Sequence, residues 1–175
     1  MSDDGGVHYE DPFATPAAAR SPARRLRGGL AHPVTIWTAT GPEGHVGLTM
    51  SSVLVADGEP PEILGLIAPT TELFGVLSET GRFVVHVLER DDWKLADIFA
   101  GLRPNPGGLF AGLSVEVSDY GPVIRSPVVA FCTLVAIETV GYHELVRATV
   151  DRVDADDITD PLVHFRGRYR RLNDK

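Results

Sequence analysis

Residues 44–55 read Gly44-His45-Val46-Gly47-Leu48-Thr49-Met50-Ser51-Ser52-Val53-Leu54-Val55, and this stretch decides the fold. It opens at a turn, continues as a strand, and then sets Thr49, Ser51 and Ser52 inside an apolar segment. A buried hydroxyl left unpaired costs about 1–3 kcal/mol, so these oxygens need partners, either in the chain or in something it holds. Upstream, Val34 to Thr40 (V-T-I-W-T-A-T) is rich in β-branched residues and ends at the turn G-P-E-G. Together the two segments predict a β-hairpin.

Further strands are predicted at Glu62–Ile67, after Pro60-Pro61, and at Phe83–Leu88 (F-V-V-H-V-L). Val128–Thr139 and Glu144–Val153 are two long strands joined by V-G-Y-H, a hairpin signal. A last strand covers Pro161–Arg171. Two short helices interrupt them. Thr71–Thr80 has Leu73, Phe74 and Leu77 at helical spacing with Gly81 behind it, and Asp91–Ala100 has Asp91 or Asp92 as cap. Helices do not alternate with strands, so the pattern is mostly β: an antiparallel barrel or closed sheet with short helices inserted.

The chain of 175 residues holds one domain, 21–175, behind an acidic and polar leader, residues 1–20. Ser21 before Pro22 reads as the cap of a first short helix ending at Gly28-Gly29. With 24 acids against 16 bases the net charge is −8, which argues against a general grip on nucleic acid. One cysteine, Cys132, precludes an internal disulfide and fits a reducing compartment. No signal peptide and no membrane-spanning run is visible, so the expected location is the cytoplasm. There is no G-x-G-x-x-G, no Walker loop and no nucleophile elbow. The six histidines are scattered without metal-ligand spacing, and Cys132 sits in an apolar strand, where a thiol is inert.

The order of several segments resembles the flavin reductase-like family, the FMN-binding split barrels that supply reduced flavin to two-component monooxygenases. The pieces are Gly47-Leu48-Thr49-Met50-Ser51-Ser52, Pro60-Pro61, and Gly81-Arg82-Phe83-Val84-Val85-His86-Val87-Leu88. After them come Phe110-Ala111-Gly112, Gly121-Pro122, Cys132, Gly141-Tyr142-His143 and Arg166-Gly167-Arg168-Tyr169. The resemblance covers roughly residues 25 to 172 and implies a Greek-key-like antiparallel split barrel, homodimeric, with flavin sites at the subunit interface. It also implies FMN or FAD as cofactor, NADH or NADPH as hydride donor, and a flavin-dependent monooxygenase as a partner.

The same resemblance assigns the flavin contacts. His45, Val46, Gly47, Leu48 and Thr49 would wrap the ring with backbone groups, and Ser51 and Ser52 would lie beside ring and ribityl chain. Leu66, Ile67 and Ala68, with Thr70 and Thr71 at the next helix start, would complete the site toward the phosphate. Many relatives carry an arginine-serine or serine-threonine pair where this chain has Glu72-Leu73, a departure that leaves the choice of flavin open. Phe99 matches an aromatic near the flavin. His143 matches a histidine facing the nicotinamide, although Tyr142 replaces the family's aspartate, and Arg166, Gly167, Arg168 and Tyr169 match the segment that meets that nucleotide. Arg166, Arg168 and Arg170 alternate, which puts them on one face of a strand. His86 replaces an asparagine and reads as structural. The implied reaction is hydride transfer from NAD(P)H to flavin. The rival reading is a flavin or haem carrier of the same fold without that activity.

Overall fold

The computed structural model describes residues 22–172, so the leader and the Ser21 cap lie outside the described residues. In chain order the elements are α1 (Pro22–Gly28), β1 (His32–Pro33), β2 (Thr35–Gly41), β3 (Gly44–Met50), β4 (Val53–Ala56) and β5 (Glu62–Ile67). Then come α2 (Glu72–Thr80), β6 (Arg82–Val87), a 3-10 turn at Arg90–Asp92, α3 (Trp93–Phe99), β7 (Val115–Ser118) and β8 (Gly121–Ile124). The chain continues through β9 (Val128–Val140), β10 (His143–Ala155), β11 (Val163–Phe165) and β12 (Arg168–Arg170).

The main sheet has seven strands in the order β3-β2-β6-β9-β10-β5-β4, with every pairing antiparallel. Its two edge strands, β3 and β4, are consecutive in sequence, with only Ser51 and Ser52 between them. Two residues span too little for a flat sheet of seven strands spaced about 4.8 Å apart, so the sheet curls until its edges meet. The Thr35 hydroxyl, donating to Met50 O at 2.9 Å, ties down one side of the link. Leu66 N–H, donating to Ser52 O at 3.0 Å, ties the other. β3 and β4 do not pair with each other, which leaves the barrel split along that line.

Two apolar clusters fill the fold. Trp37 and Met50, with Ile63, Ile67, Phe83, Val146 and Ala148, line the barrel, and α2 plugs it with Leu73 and Leu77. Trp37 stacks on Phe83 with ring centroids 4.7 Å apart. Gly65 makes room for the indole: a Cβ there would come within 2.5 Å of Trp37 Cη2. The second cluster lies on the outer face, where Ile36, Leu88, Ala96, Phe99, Ile124 and Leu162 pack together. β2 serves both clusters, which explains why its first five residues are all buried.

The predicted strands and both mid-chain helices are present, but three details differ. β4 and the hairpin β7–β8 are strands of four residues that the sequence reading does not separate from loop. Asp92 does not cap α3 forward; its carboxylate accepts Glu89 N–H at 3.0 Å, behind the helix. The single closing strand is a hairpin, broken where Arg166 (φ 52°) and Gly167 (φ 77°) adopt left-handed conformations. Arg166 therefore stands at a turn, and only Arg168 and Arg170 share a strand face. No helix among the described residues is long and apolar enough to cross a membrane.

His86 is fully buried on β6 and satisfied on both sides. Its Nε2 accepts Ile124 N–H at 3.2 Å, so Nδ1 carries the proton and donates to Ile36 O at 3.0 Å. Burial pushes its pKa down to about 4, against a partial opposing effect of the Ile36 bond. An unfolded histidine titrates near about 6.5. Stability from keeping this ring neutral is thus full above pH 6.5 or so and is lost as pH falls through about 4. The loss should reach about 3 kcal/mol in denaturant unfolding, and His86→Asn should flatten that part of the pH profile. Identical profiles for the two proteins would contradict the assignment.

Candidate functional site

The link that closes the barrel gathers segments far apart in sequence. Val53 pairs with Gly65, so the antiparallel register runs Ser52 and Ser51 alongside Leu66 and Ile67. Ala68 then accepts the Thr71 N–H at 3.2 Å and the Thr71 hydroxyl at 2.9 Å, which turns the chain into α2. Thr71 is the helix cap, accepting Phe74 N–H at 3.4 Å. On the other side of β5, Glu144 pairs with Ile67, which places His143, at the tip of the β9–β10 hairpin, next to the Ala68 end. Ser51, Ser52, Leu66, Ala68, Thr71 and His143 are partly exposed there, and Thr70 is exposed.

The hydroxyls divide into two kinds. Thr49 donates to Ala96 O in α3 at 2.6 Å, so its proton is used inside the chain. That carbonyl also accepts Ala100 N–H within the helix, so the threonine bond is a tether between β3 and α3. Neither Ser51 nor Ser52 makes a side-chain hydrogen bond with any of the described residues. Both remain able to donate to and accept from a ligand. β3 and β4 are the edges of the main sheet, so each also presents one row of backbone groups without a ladder partner.

The outer face of β3 is roofed. His45 Nδ1 lies 2.9 Å from the Thr40 hydroxyl, and the imidazole meets the edge of Phe110 at 5.7 Å between centroids. Phe110 in turn packs edge-on against Phe99. Phe99 lies directly over Gly47, where a Cβ would come within 2.5 Å of its ring. Val46 and Leu48 point the other way, into the barrel core. The structure places Phe99 itself in the core at 2% exposure, so it presents almost no surface to a ligand. Its role is to hold α3 against β3. Ile67 is buried as well, which leaves its backbone as the part able to meet a ligand.

The C-terminal hairpin reaches this region only through α3. Tyr169 donates its hydroxyl to Asp97 Oδ1 at 3.2 Å, one residue along the helix from the Ala96 carbonyl that holds Thr49. Burial, and then the Asp97 charge, push the Tyr169 phenol far above its usual range, so it stays a proton donor. Arg166, Gly167 and Arg168 are exposed at the hairpin tip. None of them is bonded to the Ser51–Ser52 link. Sequence reasoning missed Asp97, Trp37 and Gly65. Asp97 carried a usable signal, an acid among the apolar residues of a short helix, whereas the Gly65–Trp37 fit is a long-range match that no local pattern reveals.

Among the described residues no group of three potential metal ligands comes together, and the serines have no histidine–carboxylate pair behind them. What the seam offers is two backbone edges and two short hydroxyls rather than a catalytic constellation. Comparison with known proteins agrees in kind. Residues 26–173 match the model of the flavin reductase like domain. The chain is 31% identical over 152 residues to the FMN reductase (NADH) SmoA of Agrobacterium fabrum, covering 86% of this chain and 84% of that protein. It is 30% identical to the reductase component of 4-hydroxyphenylacetate 3-monooxygenase from Thermus thermophilus, covering 82% of this chain and 90% of that one. Its backbone superposes on the Streptomyces globisporus NADH:FAD oxidoreductase SgcE6 with a TM-score of 0.80, 23% identity, and coverage of 91% and 100%. This split-barrel chain belongs to the flavin reductase-like domain family.

Proposed function

We propose that the protein is an NAD(P)H:flavin oxidoreductase that binds FMN or FAD at the barrel-closing link. The observation that carries this is the pair of half-buried serine hydroxyls, Ser51 and Ser52, without a partner among the described residues, between two sheet edges. A flavin ring presents donors and acceptors along one rim, and short hydroxyls and exposed strand amides match it without steric cost. Ser51, Ser52 and the backbone of Gly47, Leu48 and Leu66–Ala68 would hold the ring, with Thr70 and the α2 amides toward the phosphate. Bound there, the flavin supplies the two-electron acceptor for hydride from the nicotinamide.

The chain's own groups position and shield. The Thr49–Ala96 bond and the Phe99–Gly47 contact fix β3, so the backbone edge is set before ligand arrives. His143 sits at the hairpin tip beside Ala68, where it would face and orient the nicotinamide, with Arg166–Tyr169 holding the rest of the nucleotide. No protein acid or base is needed for hydride transfer itself. The relatives include monooxygenase reductase components, which supports a flavin-dependent monooxygenase as the consumer of the reduced flavin. The single cysteine, with no internal disulfide possible, supports a reducing setting such as the cytoplasm.

Purified protein should oxidise NADH when FMN or FAD is added, followed by absorbance at 340 nm. Ser52→Ala should weaken flavin binding by roughly tenfold, the factor for about 1.4 kcal/mol, and His143→Asn should lower turnover more than flavin affinity. A bound flavin that NADH and NADPH both leave oxidised would instead identify a carrier.

The outer face of β4, β5 and β10 supports a homodimer. Leu54, 71% exposed, pairs with Leu64, and Leu66 with Leu145, on the side away from the core, where the Arg147–Glu62 ion pair borders these leucines. The exposed Val140 and the exposed Tyr142 extend the patch beyond the hairpin tip. Such a face beside the serine link suits a second copy that would wall the cleft. Light scattering should give twice the chain mass, and Leu54→Glu should shift it toward the monomer; a monomeric wild type would refute this interface.

A further inference from the structure

The C-terminal hairpin is held to the N-terminal segment by a small sheet of its own, in the order β1-β11-β12, separate from the barrel sheet. β1 is two residues long, and its register pairs His32 with His164 and Pro33 with Val163. Residues directly opposite on antiparallel strands share a face, with Cβ atoms about 4.5–5.5 Å apart. Half of this ladder's cross-strand pairs is therefore a histidine pair.

The surroundings add positive charge. Arg27, from α1, lies against the pair: its carbonyl is 3.3 Å from His32 Nε2. The charges of both His32 and Arg27 oppose protonation of His164, on top of its burial, and together they hold its pKa below the ordinary imidazole range. From β12 the facing group is Tyr169, ring to ring with His164 at 6.0 Å, and its hydroxyl is engaged with Asp97. No carboxylate is among the groups that act on His164.

We infer that the facing His32–His164 pair forms a pH-sensitive latch, closed when the pair is neutral and loosened in acid, as positive charge gathers beside Arg27. The stability that His164 contributes is present above the ordinary imidazole range and is lost as pH falls through its depressed value. The inner end of the hairpin does not move with it. Leu162 is buried, its N–H bonded to Leu88 O at 2.9 Å and its carbonyl to Val34 N–H at 3.1 Å. Opening therefore lifts residues 163–170 about the fixed Leu162 and also releases the Tyr169 hydroxyl from Asp97. This segment carries Arg166–Tyr169, so the effect on nicotinamide affinity rests on the proposed reductase reading, whereas the latch does not.

Amide hydrogen exchange read by mass spectrometry on peptides spanning 163–170 at pH 7.5 and pH 5.5, corrected for intrinsic exchange, tests it. Protection there should fall at the lower pH. Peptides from β6 and β9 serve as the reference for general destabilisation, including that from His86, and should lose much less. The hairpin-specific change should disappear in His32→Gln and, separately, in His164→Gln. Equal protection at both pH values, a loss shared equally with β6 and β9, or an undiminished change in both variants would overturn the latch, and none of these outcomes depends on reductase activity.

Discussion

The rest of the structure depends on a connection of two residues. Ser51 and Ser52 join the opposite edges of a seven-stranded antiparallel sheet, and so short a span is possible only if the sheet rolls up. Closure is made by chain connectivity rather than by a ladder between β3 and β4, so both edges keep unsatisfied backbone groups. A closed barrel removes edges; this one retains two of them, side by side, at one seam. Side chains of ordinary strand residues would crowd that seam, whereas serines add hydroxyls without bulk.

Packing makes the seam rigid from both sides. Inside, α2 drives Leu73 and Leu77 into the barrel, while Trp37 lies on Phe83 in space that Gly65 leaves open. Outside, α3 is fastened to β3 by the Thr49 hydroxyl and by Phe99 over Gly47. The same helix receives the Tyr169 hydroxyl at Asp97, so one short element connects β3 with the C-terminal hairpin. His86 closes the fold elsewhere, bridging β2 to β8 as a neutral ring. In the proposed reading such a site would need no charged catalytic group and would work by holding two planar molecules in register.

Much of this was legible before any coordinates. The β-branched runs gave the long strands, Leu73 and Leu77 at helical spacing gave α2, and the ordered motifs gave the family. The hydroxyls at 49, 51 and 52 stood out together, yet pattern could not tell that Thr49 reaches α3, 47 residues away, while the hydroxyls of the two serines bond to none of the described residues. β4 escaped notice because four residues after a polar link carry no periodicity of their own. The alternation at Arg166, Arg168 and Arg170 suggested one strand face, but Gly167 takes a left-handed turn there, and turn geometry overrode the period of two. Phe99 was expected near the flavin; its burial beside Phe110 depended on a loop whose path no local signal fixes.

The central claim is that flavin sits at the barrel-closing seam, and its most direct test is a map of where FMN protects the backbone. Amide exchange with and without saturating FMN should show added protection over residues 47–53 and 65–71, with the β7–β8 hairpin unchanged. Protection confined to other segments, or a saturable flavin signal with no change at the seam, would contradict the account.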